Sequence, residues 1–202
     1  MRSVSSDELA AFASIHDEAV ELVSVQRPLA SQCEPLARRL IDSRQAPHLR
    51  WVQPAGDCDA AAAALPPAVD HDVRAMLAGQ VAEAGVVLGE LMGCREVKVR
   101  METLSAPMCP RFHVDHLPCR LLITLSGAGT EWISNGDVDW AVFADPDAMA
   151  PPVKADGQVY QLDTGHWSLL KGGAWTDAFS GVVHRSPHGD GERLLLSLDP
   201  VV

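Results

Sequence analysis

The chain has 202 residues, 47% hydrophobic and 21% charged, which is the composition of a globular protein long enough for one domain with a sizeable core. Its formal net charge of −11 argues against a nucleic-acid partner, because phosphate binding needs a basic face, and does nothing to attract an anionic membrane. The N-terminus lacks the apolar core of a signal peptide, and no apolar run reaches the length of a membrane span. The odd number of scattered cysteines favours reduced thiols and a cytoplasmic location.

The first half of the chain is predicted to be rich in helix. A short helix follows Ser6, a candidate N-cap with two acidic residues in the first turn, and a strand follows over residues 19–29. Residues 29–43 are predicted to form a second helix, and residues 44–67 a loop around one possible strand at LRWVQ. Asp70 begins the longest helix, in which apolar residues recur every three or four positions until a glycine ends it.

The second half of the chain has the sequence pattern of a β-sheet protein. Apolar and charged residues alternate from Val97 to Met101, the pattern of a half-buried strand. Turn sequences separate most of the strand-like runs that follow, which are PRFHVDHL, RLLITLSG, TEWIS, WAVFA, GQVYQLD, HWSLLKGG, FSGVVHRS and ERLLLSLD. Such spacing favours a jelly roll. We therefore predict an α+β fold in one domain, with a helix-rich N-terminal layer over residues 1–94 packed against a β-rich jelly-roll half over residues 95–202.

The segment CPRFHVDHLPCR, residues 109–120, holds two cysteines, two histidines and one aspartate. Two prolines bracket its centre and leave less than two turns for a helix, so a strand is favoured. Side chains alternate along a strand, which places His113 and Asp115 on one face and His116 on the other. A strand therefore favours His113 and Asp115 as a pair of metal ligands.

The same segment allows a second interpretation, in which four nitrogen and sulfur ligands hold tetrahedral zinc. The spacing C-x3-H-x2-H-x2-C is not that of a common zinc finger, and gathering all four residues around one ion would disrupt the strand. The four residues are Cys109, His113, His116 and Cys119.

A His-x-Asp pair needs a third ligand, and the best candidate is His184, which follows an apolar run as an inward residue near a strand end does. Arg193 begins the next apolar strand, across a glycine-rich turn. Two histidines and one carboxylate on one face of an octahedron leave three positions open, as in non-haem Fe(II) enzymes. The planar fork of an arginine suits a carboxylate of a co-substrate bound there.

These residues and their neighbours resemble the pattern of the Fe(II)/2-oxoglutarate dioxygenase superfamily, through HVD at 113–115, TGHWSLLKG at 164–172, VVHRS at 182–186 and Arg193. The resemblance implies a double-stranded β-helix in which His113, Asp115 and His184 bind Fe(II). It also implies that Arg193 binds the distal carboxylate of 2-oxoglutarate.

A second resemblance covers nearly the whole chain. CPRFHVDH, RLLITLSGAGTEW, and VHRSP with RLLLSLD resemble the bacterial family named as domain of unknown function 1826. That resemblance implies a fold, allows a metal and names no reaction. The occurrence of the family near metal-handling genes keeps zinc as an alternative metal.

We therefore predict a metal-dependent oxygenase of the Fe(II)/2-oxoglutarate type that hydroxylates an unknown small-molecule or protein substrate. The alternative is a non-enzymatic zinc-binding or metal-homeostasis accessory protein on the same fold. The loop over residues 134–160 is expected to overhang the site. The residues expected to support the metal ligands are His116, Cys109, Cys119 and Arg120.

Overall fold

The computed structural model describes residues 1–27, 30–42, 48–189 and 191–202. The strands in this part of the chain are β1 (Arg2–Ser6), β2 (Val20–Val25), β3 (His48–Pro54), β4 (Glu96–Leu104), β5 (Cys119–Ser126), β6 (Glu131–Ile133), β7 (Tyr160–Gln161), β8 (Trp167–Lys171), β9 (Val183–Arg185) and β10 (Arg193–Val201). The α-helices are α1 (Ala30–Asp42), α2 (Cys58–Ala64), α3 (His71–Met92) and α4 (Trp140–Ala144), and a 3-10 helix spans Leu9–His16.

Two β-sheets organise the fold. The large sheet has the strand order β1-β2-β8-β5-β10-β4-β3, and all neighbouring strands are antiparallel except β1 and β2. The small sheet has the antiparallel order β7-β6-β9. Strands from both halves of the chain enter the large sheet, so the N-terminal half supplies sheet as well as the predicted helices.

The large sheet is apolar on both faces, and β10 shows how one strand serves two cores. Leu194, Leu196 and Leu198 belong to the core under the helices, whereas Leu195 packs on the opposite side. This division follows from the alternation of side chains along a strand. The second core, between the two sheets, consists of Leu22, Leu122, Trp132, Leu162, Leu170, Phe179 and Val182.

The prediction for α3 is confirmed at both ends. The Asp70 side chain accepts hydrogen bonds from the first backbone N–H groups of the helix, and Gly93 ends it with a φ of 64°. By length and composition α3 is also a candidate membrane span, which the sequence prediction did not anticipate. In the structure, however, the helix lies on the large sheet with Leu77, Val81 and Leu88 fully buried, as a core helix does.

The predictions for two segments, WAVFA and residues 44–67, are wrong. WAVFA forms α4 rather than a strand, because Asp139 caps it by accepting hydrogen bonds from two backbone N–H groups. The predicted loop over residues 44–67 contains α2, which Asp57 caps by accepting a hydrogen bond from the Ala60 N–H, as well as β3 at the predicted LRWVQ strand. Residues 44–47 of that loop, residue 43 of the helix predicted over residues 29–43, and residues 28 and 29 of the strand predicted over residues 19–29 lie outside the described residues.

The N-terminus also differs from the prediction. Ser6 ends β1, and its hydroxyl accepts a hydrogen bond from the Glu8 N–H at 3.1 Å instead of capping an α-helix. The helix that follows is of the 3-10 type and has no side-chain cap. β1 runs parallel to β2, so the short helix serves as the crossover between them.

Glu102 on β4 ties the edge strand β3 into the large sheet. This carboxylate is only 5% exposed. It accepts hydrogen bonds from Arg50 Nε and Nη2 at 3.2 and 2.9 Å, and from His48 Nδ1 at 3.0 Å. Burial acts to raise the pKa of Glu102, but the hydrogen bonds from His48 and Arg50 outweigh it and hold the pKa below its ordinary value of 4.5.

We expect Glu102→Gln to lower the free energy of unfolding by about 1 kcal/mol at neutral pH, since the side chains of both partners, Arg50 and His48, are exposed. Because the folded state lowers the pKa of Glu102, its contribution is fully present above pH 4.5 and is lost as the pH falls through the folded-state pKa. Urea unfolding of both proteins, at neutral pH and at about pH 3, measures the difference. Glu96→Gln, an exposed change on the same strand, is the control, and an equal loss for Glu102→Gln at both pH values would contradict the prediction.

Candidate metal centre

His113 and His184 are joined through their main chains, although they lie far apart in the sequence. The His113 N–H donates to the His184 carbonyl at 2.9 Å, and the His184 N–H donates to the His113 carbonyl at 2.9 Å. This antiparallel bridge lies on the free edge of β9 in the small sheet. It is the only β-type pairing within residues 110–117, so the predicted strand PRFHVDHL is wrong apart from His113.

A glycine-rich turn after β8 fixes the rest of the segment. The Gly172 N–H donates to the Pro118 carbonyl and the Gly173 N–H donates to the Asp115 carbonyl, each at 2.8 Å. A Cβ atom on Gly172 would lie 1.9 Å from the Leu117 carbonyl oxygen, so a residue with a side chain cannot occupy this position without displacing the backbone. The sequence indicated a turn here but gave no sign that it holds the His-x-Asp segment.

Both histidines present the same nitrogen to the site. His113 Nδ1 lies 3.0 Å from the Arg111 carbonyl oxygen, and His184 Nδ1 lies 3.0 Å from the Val182 carbonyl oxygen. A carbonyl oxygen only accepts hydrogen bonds, so each Nδ1 carries a proton and the Nε2 atoms are the ones that face the site. Such an Nδ1 hydrogen bond to a carbonyl orients an imidazole for binding a metal through Nε2.

The structure brings the three predicted ligands together. His184 Nε2 lies 3.4 Å from Asp115 Oδ2, and His113 Nε2 lies 4.0 Å from Asp115 Oδ1. One donor atom from each of the three residues lies within 4.8 Å of the others, which is close enough for one ion to contact all three. Among the described residues, this is the cluster of histidine and acidic groups able to hold a metal.

Arg120 holds the carboxylate of Asp115 in place. Its Nη1 donates to Asp115 Oδ2 at 2.8 Å, while its Nε and Nη2 donate to the two oxygens of Asp199 at 2.7 and 2.8 Å. Burial acts to raise the pKa of Asp115, but the hydrogen bond from His184 and the neighbouring positive charges lower it to about 2. Burial and the charge of His184 lower the pKa of His113, which favours its neutral, metal-binding form.

A cavity of about 350 Å³ opens over these donors. Arg120, His116 and Cys109 line it, so three of the residues predicted to support the site are beside it. His116 lies on the cavity wall rather than behind a strand. Cys119 does not line the cavity, because its side chain belongs to the core under the helices, where burial raises the pKa of the thiol to about 12. The structure therefore does not gather the four residues of the zinc interpretation.

Arg193 is 4% exposed and incompletely hydrogen-bonded. Its Nη2 donates to Thr130 Oγ1 at 3.2 Å and to Thr124 Oγ1 at 3.4 Å, whereas its Nε and Nη1 are buried and have no hydrogen-bond partner among the described residues. Burial lowers the pKa of the guanidinium to about 10. Thr130 also lines the metal cavity, so Arg193 lies one side chain away from it. An arginine with free buried donors suits a carboxylate.

The two threonines were not identified from the sequence. Alternation along β5 could have placed Thr124 on the same face as Arg120, but Thr130 lies in a turn whose path no local pattern reveals.

The predicted overhang of residues 134–160 is not seen. None of these residues lines the metal cavity. They form a wall of a second cavity of about 450 Å³, which lies beside the first and shares only Arg185 with it. Phe112, Phe143 and Met149 are among its lining residues.

A family model described as a protein of unknown function, DUF1826, matches residues 6–199. The chain belongs to this family. A comparison with curated protein sequences finds no match.

Several solved structures share the overall fold at low sequence identity. The dioxygenase for auxin oxidation 1 of Arabidopsis thaliana, solved with 2-oxoglutarate, is 12% identical with a TM-score of 0.58, over 100% of this chain and 92% of that one. The rice dioxygenase for auxin oxidation is 16% identical with a TM-score of 0.56, over 100% and 83%. A prolyl-4-hydroxylase of Pseudomonas putida is 14% identical with a TM-score of 0.51, over 98% and 97%. This chain is therefore similar in fold to these three enzymes.

We expect the protein to bind one divalent ion, and His184→Ala and Asp115→Ala to weaken that binding by at least about 100-fold, because each removes one of three donors. Titration with Co(II), followed by its visible absorption, measures the affinity. Cys119→Ser, a change outside the cavity, is the control and should leave the affinity unchanged. Unchanged Co(II) affinity in His184→Ala would contradict the assignment.

We also expect Arg120→Met to lower the free energy of unfolding by about 3 kcal/mol, since it leaves two largely buried carboxylates without their cation. The double variant Arg120→Met/Asp199→Leu should be less destabilised than the single one, because one of the two carboxylates is then absent. Urea unfolding of the metal-free proteins measures both. A double variant less stable than Arg120→Met would show that the ion pairs are not the cause.

Proposed function

We propose that the protein is a metal-dependent oxygenase of the Fe(II)/2-oxoglutarate type. One observation carries the proposal: two imidazole nitrogens and a carboxylate converge on a cavity beside a buried arginine that has free donors. A metal site alone would not need such an arginine. An unpaired buried guanidinium is costly unless an anion completes it, so its presence favours a site for a dicarboxylate.

The proposal includes the finer description of the fold as a double-stranded β-helix, in which the large and small sheets face each other across the second core. The fold likeness to the Arabidopsis oxygenase supports it, at a TM-score of 0.58. Within that fold the ligands come from the edge of the small sheet and Arg193 from the large sheet. The cavity lies between the two sheets.

The residues present fit both proposed groups. His113, Asp115 and His184 would hold Fe(II), leaving coordination positions free for a co-substrate. Arg193 would bind the distal carboxylate of 2-oxoglutarate, with Thr130 beside it. When bound, iron and 2-oxoglutarate would supply the oxidation of a substrate by dioxygen.

The chain's own contribution is to keep the donors ready. The carbonyls of Arg111 and Val182 keep both Nδ1 atoms protonated, and Arg120 fixes the carboxylate. Leu122 and Leu195 line the cavity and limit the water within it, which strengthens the charge interactions there.

The proposal keeps the predictions of a single domain, a cytoplasmic location and an unknown small-molecule or protein substrate, with no nucleic-acid or membrane partner. Zinc remains the alternative metal, because two histidines and a carboxylate also suit that ion.

Anaerobic addition of Fe(II) and then 2-oxoglutarate should give a visible metal-to-ligand charge-transfer band. Arg193→Met should weaken 2-oxoglutarate binding by at least about 100-fold while leaving Co(II) affinity unchanged, because it removes the proposed carboxylate partner and no metal donor. Arg193→Lys should recover part of the binding, since it restores the charge without the fork. Titrating 2-oxoglutarate against the band measures each affinity.

Tight Zn(II) binding without a charge-transfer band and without 2-oxoglutarate consumption would contradict the proposal. That outcome would favour the metal-accessory alternative. Cys109→Ser sharpens the distinction, because a thiolate site would lose zinc affinity and the proposed site would not.

A further inference from the structure

Three arginines line the metal cavity, and two of them are already engaged. Arg120 is bound to two carboxylates, as described above. Arg185 Nε donates to Glu131 Oε2 at 2.6 Å, and its guanidinium carbon lies 4.3 Å from the centre of the Phe112 ring. Each of these two guanidinium groups is therefore already paired with a carboxylate of the chain.

Arg100 is different. Among the described residues, the nearest carboxylate oxygen is Glu102 Oε1, which lies 3.9 Å from Arg100 Nε and already accepts two hydrogen bonds from Arg50. Arg100 Nη1 contacts Met108 Sδ at 4.0 Å, and a thioether is a weak acceptor. The side chain is 25% exposed at the cavity. Its guanidinium therefore has donors available on the cavity side.

Arg100 also lies well away from the proposed 2-oxoglutarate site. It pairs in register with Ser197 on β10, and Ser197 lines the same cavity. Arg193 lies four residues along that strand, so the two arginine backbones are about 13 Å apart. One small dicarboxylate held by Arg193 would leave Arg100 without a ligand.

We propose that Arg100 binds the carboxylate of the primary substrate, a small organic acid with an apolar body. The role of this acid as a substrate rests on the proposed function, whereas its binding by Arg100 does not. The guanidinium fork matches the two oxygens of a carboxylate. Met108, Leu122 and Leu195 supply apolar surface beside it, and the volume of about 350 Å³ limits the ligand to a small molecule.

The test uses metal-free full-length protein and two neutral-pH probes of equal shape, phenylacetate and its uncharged amide, phenylacetamide. All proteins carry Arg193→Met, so that the other arginine with free donors does not contribute. Isothermal titration should show phenylacetate binding at least about tenfold more tightly than phenylacetamide. Adding Arg100→Met should remove the preference, and adding Arg100→Lys should restore part of it.

Melting temperatures separate a binding role from a structural one. Among the described residues Arg100 approaches a carboxylate only at 3.9 Å, so Arg100→Met should shift the melting temperature by less than about 4 °C. Equal affinity for acid and amide before Arg100 is changed, or an acid preference that survives Arg100→Met, would overturn the inference. Failure of the 2-oxoglutarate band with an Arg100-dependent acid preference would instead reject the oxygenase and keep the acid site.

Discussion

The carboxylate of Asp115 is 16% exposed, and a charge in that position needs positive partners. Arg120 supplies the main one and extends the interaction to Asp199 near the end of β10. This three-residue bridge ties the His-x-Asp segment, which has almost no β pairing of its own, to the middle of the large sheet. The position of the Asp115 carboxylate therefore depends on an arginine outside the donor set.

Arg193 differs from Asp115, whose buried charge is paired. Here a cation is buried without an acidic partner among the residues that the structure describes, and burial lowers the pKa of its guanidinium. Folding tolerates such costs at sites where a ligand later completes the interaction, which is how stability is commonly exchanged for function. The two arginines thus have different roles. Arg120 compensates the negative charges of Asp115 and Asp199, whereas Arg193 is proposed to bind the negative charge of a ligand.

Local rules predicted much of this arrangement. The period of two correctly grouped His113 and Asp115, but it wrongly separated His116 from them: the segment is not a strand, and His116 lines the same cavity. The apolar run before His184 and the spacing of α3 were equally local signals. The strands β4, β5, β8 and β10 were predicted for the same reason.

What the sequence did not reveal depends on contacts between distant segments. Nothing in the sequence near Arg100 distinguishes it from a surface arginine on an alternating strand. In the structure, Arg50 donates a hydrogen bond to the Glu102 oxygen that would otherwise pair with Arg100, and this leaves donors of Arg100 available. The sequence around Gly172 likewise predicts only a turn. That this turn binds the His-x-Asp segment is visible only in the folded structure. WAVFA was mistaken for a strand because five apolar-rich residues fit either structure, and the cap at Asp139 decided between them.

The main-chain bridge between His113 and His184 has a consequence for the stability of the folded protein. Folding brings these two distant segments together, so the unfolded chain offers no comparable set of donors to an ion. An ion that binds only the native state adds its binding energy to folding, about 4 kcal/mol when free metal exceeds Kd a thousandfold. Such a gain is a large part of the net stability of an ordinary domain. Metal supply would then govern how long the folded chain lasts against proteolysis, as well as whether its site is filled.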